Sequence, residues 1–175
     1  MPHALPKRAD VPNAHTWDLE ALFKTAKAWE TEFKTIDAGL PSLKAFAGTL
    51  GESAAALLGF LRKYEAMTPR VHHIYTYASL HSDSDTTNQG YSAMAGRASG
   101  LYARFSEAIS FFPPEVLAIK AETLKRFMSD EPALQRYAHF LDNIQRLRPH
   151  VRSGEVEQVL ALGREALGAP DRAYG

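Results

Sequence analysis

The feature that most constrains this chain is the spacing of its apolar residues, which recur every three or four positions between stretches rich in proline, glycine and small polar side chains. That period places them on one face of an α-helix; a half-buried strand would alternate every second residue. No alternating run bounded by a hairpin turn interrupts the pattern. The expectation is an all-α fold, an irregular antiparallel bundle of about six to eight helices.

Capping residues divide the pattern. Asp18 suggests a short turn among Trp17, Leu19, Leu22 and Phe23, and Thr25 is placed to cap a helix carrying Trp29, Phe33 and Ile36 on one stripe. Gly39 and Pro41 close that helix, and a short helical piece follows around Leu43 to Phe46. Ser53 lies at the start of a run holding Leu57, Leu58, Leu61 and Tyr64, which ends near Met67. Thr68-Pro69 has the form of an N-cap with proline at the first helical position, so a new helix with Val71, Ile74, Tyr75 and Ala78 is expected there. The cluster Ser82-Asp83-Ser84-Asp85-Thr86-Thr87-Asn88 breaks or caps it, because these side chains compete for backbone hydrogen bonds.

The next segment runs to about Phe112 through Tyr91, Met94, Ala98, Leu101, Tyr102, Phe105 and Ile109. Pro113-Pro114-Glu115 restarts a helix expected to continue through Ile119, Leu124 and Phe127. Asp130-Glu131-Pro132 does the same for Leu134, Tyr137, Phe140, Leu141, Ile144 and Leu147, ending at Pro149. Ser153 opens a last helix through Val156, Val159, Leu160 and Leu167, stopped by Gly168 and Pro170. The domain reading is an extended arm over residues 1–16, a helical domain over 17–170 and a tail over 171–175.

Composition narrows the function. With 20 basic and 20 acidic side chains in 175 residues, the formal charge is zero, so nothing points to a nucleic acid or an anionic membrane as partner. The absence of cysteine removes disulfides, thiolate metal ligands and a cysteine nucleophile. The most apolar stretch, Ser53 to Leu61, is far shorter than the roughly 20 residues that cross a bilayer. A cytoplasmic location is the resulting expectation.

A helical zinc peptidase places two histidines one turn apart with a glutamate beside the first. None of His3, His15, His72, His73, His81, His139 and His150 precedes a glutamate, and no two are four residues apart. A nucleophile elbow, a P-loop and a dinucleotide fingerprint are missing too, so no catalytic and no metal-binding residue is assigned. His73, Tyr77, His81 and Asp85 fall on one helical face, but His73 and His81 are about 12 Å apart along the axis, too far to share an ion. The preferred reading pairs His81 with Asp85 near a helix end, with a small metal-binding bundle as the rival. Asp83 and Asp85 read better as helix caps than as an acid–base pair. Arg146, Arg148, His150 and Arg152 suit the C-terminal end of a helix. Tyr64, Tyr75, Tyr77, Tyr91, Tyr102, Tyr137 and Phe140 read as core aromatics.

The order of several segments resembles the oligoendopeptidase F family of zinc peptidases. The likeness is carried by His15-Thr16-Trp17-Asp18-Leu19-Glu20-Ala21-Leu22-Phe23 with Trp29-Glu30, by Phe46-Ala47-Gly48-Thr49-Leu50 with Ser53, and by Ile74-Tyr75-Thr76-Tyr77-Ala78-Ser79 before Asp83 and Asp85. It continues through Ser110-Phe111-Phe112-Pro113-Pro114-Glu115-Val116-Leu117, Tyr137-Ala138-His139-Phe140-Leu141, Arg146-Leu147-Arg148-Pro149-His150 and Ser153-Gly154-Glu155-Val156-Glu157. It covers nearly the whole chain from about Arg8 and matches the family's N-terminal helical region.

The resemblance implies a thimet-oligopeptidase-like parent that hydrolyses short peptides in a deep channel, with zinc held by a His-Glu-x-x-His helix in a C-terminal part that this sequence lacks. It implies no cofactor in this chain, and a channel-wall role for its helices. His81, Asp83, Asp85, Asn88 and Tyr91 are the candidate channel-lining residues, since they expose hydrogen-bonding groups at helix ends. Expected partners are short peptides, the C-terminal catalytic part and a second copy meeting through uncovered apolar surface. The rival function is a stand-alone helical interaction module without activity.

Overall fold

In a computed structural model, which describes residues 10–150, the helices begin where the capping residues stand. Asp18 accepts from the Ala21 N–H at 3.2 Å and closes a 3-10 turn over Leu19–Ala21. Thr25 Oγ1 accepts from Ala28 N–H at 3.1 Å and starts α1, Ala26–Gly39, whose stripe of Trp29, Phe33 and Ile36 is buried. Pro41 opens the four-residue α2, Pro41–Lys44. Ser53 Oγ accepts from Ala56 N–H at 3.1 Å and starts α3, Ala54–Ser84.

The remaining helices are α4, Gln89–Ala108, α5, Phe112–Ala118, α6, Ala121–Asp130, and α7, Ala138–Arg146. The described residues contain no strand. Among the described residues five helices reach nine residues or more, slightly fewer than the six to eight expected, while α2 and α5 are short. The first nine residues of the expected arm, Arg152, the helix expected from Ser153 to Leu167 and the tail lie outside the described residues; within the arm, Asn13–His15 form one 3-10 turn.

Three boundaries differ from the sequence reading. The runs before and after Thr68 form a single helix of 31 residues with Pro69 inside it. Thr68 does not cap; its hydroxyl donates to the Tyr64 carbonyl at 2.7 Å. A proline in a helix interior costs about 3 kcal/mol, through its missing N–H and its clash with the carbonyl four residues back. Against that stand Leu57, Leu58, Phe60 and Leu61 before the proline and Val71, Ile74, Tyr77 and Ala78 after it, all buried. At roughly 1.5–3 kcal/mol for each large apolar side chain, packing both halves against shared neighbours outweighs the backbone penalty.

The second difference lies at Ile119, where φ −68° and ψ 123° separate α5 from α6. The separation buries Ile119 and turns helix-end carbonyls toward α7. Gln145 donates to the Val116 carbonyl, and Arg148 donates to the Ile119 carbonyl at 2.8 Å. Third, Pro132–Tyr137 is a 3-10 segment, so α7 starts only at Ala138.

The long helix α3 is the spine: α4 folds back along it, α1 packs on both, and α6, α7 and the 3-10 segment close the other end. Phe60 is the centre of an aromatic cluster with Phe46, Tyr64, Phe111 and Phe112. Three rings read as core are exposed instead: Tyr75 at 41%, Tyr102 at 40% and Phe140 at 38%. Phe140 caps the core by stacking on Tyr64 and Phe112, whereas Tyr75 and Tyr102 stand on the outer face of the α3–α4 pair. Among the described residues no helix is long and apolar enough to cross a membrane.

Candidate functional site

The polar cluster sits where α3 turns into α4. Ser84 Oγ donates to the His81 carbonyl at 2.8 Å in the last turn of α3. Asp85 then leaves the helical conformation, and its Oδ1 accepts from the Thr87 N–H at 3.1 Å and the Thr87 hydroxyl at 2.7 Å. Those two bonds, the hydroxyl first, hold the Asp85 carboxyl below the usual aspartate range, because each favours the charged form. Asn88 Oδ1 accepts from Gly90 N–H at 2.9 Å and Tyr91 N–H at 3.2 Å, capping α4. The cap of α4 is therefore Asn88; Asp85 closes the turn before it, and Asp83 remains within α3, exposed.

Of the five residues singled out, His81 and Tyr91 come together, with ring centroids 4.7 Å apart. His81 also meets Tyr77 edge-on at 4.5 Å, and Tyr77 meets Phe23 at 5.3 Å, so four rings form a continuous row from Phe23, just after the Leu19–Ala21 turn, to α4. Burial raises the Tyr77 hydroxyl above the usual tyrosine range, with Tyr91 and Glu20 adding to the effect, so it stays protonated at neutral pH. Asp85 Oδ1 and Asn88 Oδ1 are engaged within the turn. Among the described residues no group of three or more histidine, aspartate or glutamate side chains is placed to hold a metal ion. Of the basic string, Arg146 pairs with Asp142 at 2.8 Å and Arg148 ties α7 to Ile119; Arg152 and the His150 side chain lie outside the description.

A second concave surface was not foreseen. Midway along the α3–α4 pair, His72, Tyr75, Thr76, Ser99, Tyr102 and Ala103 line a groove of about 490 Å³. The Tyr102 ring lies 5.7 Å from His72 and 5.6 Å from Tyr75, each tilted by about 50°. The spacing 72, 75, 76 on one helix and 99, 102, 103 on the next was visible in the sequence. What it lacked was the information that these stripes face away from the core.

Comparison with known proteins follows the same lines. Residues 115–175 match the family model described as Oligopeptidase F. The chain is 34% identical, over 97% of its length, to Oligopeptidase PepF of Bacillus subtilis, of which it covers 25%. It is 34% identical, over 95% of its length, to Group B oligopeptidase PepB of Streptococcus agalactiae, covering 28% of that protein. Oligoendopeptidase-F from Enterococcus faecium, a crystal structure, superposes with a TM-score of 0.70 at 31% identity, over 83% of this chain and 29% of that one.

These likenesses define a helical region shared with peptidases. The chain belongs to the oligoendopeptidase F family and corresponds to the N-terminal region of its members. It spans about a quarter of the length of the curated relatives it matches.

Proposed function

We propose that this chain is the N-terminal, channel-wall part of an oligoendopeptidase F-like zinc metalloendopeptidase that hydrolyses short peptides in the cytoplasm. The observation that carries the reading is the match to a curated oligopeptidase over 97% of this chain but only 25% of that protein. The described residues do not fit a zinc site, since their histidines and carboxylates do not converge. In this reading zinc, which polarises the scissile carbonyl and activates water, is held by polypeptide beyond these residues. The helices supply rigid shape that limits which peptides enter.

At the α3–α4 turn, His81, Asp83, Asp85, Asn88 and Tyr91 are the residues proposed to line the peptide channel, with Asp85 Oδ1 and Asn88 Oδ1 also holding the turn. The test compares the purified 175-residue chain with the product of the full reading frame, each supplied with zinc and a quenched fluorescent peptide. The expected result is turnover by the longer product alone, abolished by a chelator. Zinc-dependent turnover by the 175-residue chain would overturn the reading, and so would a full-frame product of this same length without activity, which favours the interaction module.

A further inference from the structure

We draw no further inference here: the strongest candidate, the groove lined by His72, Tyr75 and Tyr102 on the outer face of the α3–α4 pair, is an unpartnered face of a chain that spans about a quarter of its relatives' length, and nothing in the structure shows what covers it.

Discussion

The indole N–H of Trp29 donates to the backbone carbonyl of Ile74 at 3.0 Å, a buried bond between residues 45 positions apart that locks α1 onto the middle of α3. The same ring is covered by the Arg97 guanidinium, 5.2 Å from its centroid, and Arg97 is held there by Glu30. One side chain thus ties together α1, α3 and α4. Trp29→Phe keeps an aromatic ring but removes the donor and part of the volume. Equilibrium urea unfolding should show a loss of about 2 kcal/mol with little change in slope.

Acid should loosen the same interface. Hydrogen bonding from Arg70, one bond of 2.9 Å among them, holds the Glu32 carboxyl below its ordinary range. A depressed folded-state value means that the pair contributes fully above the ordinary glutamate range and loses its contribution as pH falls through the depressed value. Glu32→Gln should therefore cost about 0.5–1 kcal/mol at pH 7, a modest figure because Arg70 is partly exposed to solvent. The difference from wild type should shrink progressively as pH falls below the ordinary glutamate range and through the depressed value, measured by urea midpoints across a pH series.

Pro69 offers a stabilising change. Alanine there restores an N–H for the Glu65 carbonyl and removes the ring clash, offset by greater freedom of the unfolded chain. Pro69→Ala should raise stability by about 1–2 kcal/mol. A fall would show that the pyrrolidine ring, which lines an apolar groove with Tyr64 and Phe140, contributes more by packing than it costs the backbone.

The cap at Asn88 separates two roles in the α3–α4 turn. Asn88→Ala removes the acceptor for the Gly90 and Tyr91 N–H groups and should cost about 1 kcal/mol, while Asn88→Asp should be near neutral. Thermal unfolding by circular dichroism measures both.

Glu115 makes a longer-range anchor. Its carboxylate accepts from Gly48 N–H at 2.5 Å and Leu50 N–H at 3.2 Å, across a bend where Gly48 takes φ +84°. Glu115→Ala should cost about 1–2 kcal/mol and increase amide exchange at residues 48–50, read by hydrogen-exchange NMR.

Local chemistry was legible wherever it acts alone. Thr25, Ser53 and Asp18 cap where their hydroxyl and carboxyl groups can reach an N–H three residues on, and the stripe Trp29, Phe33, Ile36 is buried because period and burial coincide. Of the candidate site, the position of the polar turn was readable, but its cap was assigned to the aspartates. Asp85 and Asn88 both form such local bonds, and only the path of the backbone decides which one heads the helix.

By itself the sequence determined the helical class, most helix starts and the family likeness, all of which rest on interactions within a few residues or on residue order. Tertiary structure decided that α3 runs through Pro69, that the chain breaks at Ile119, and that Tyr75 and Tyr102 face outward. Each of those outcomes balances a local preference against burial contributed by distant helices, and the apolar area gained or left uncovered exists only once those helices have packed.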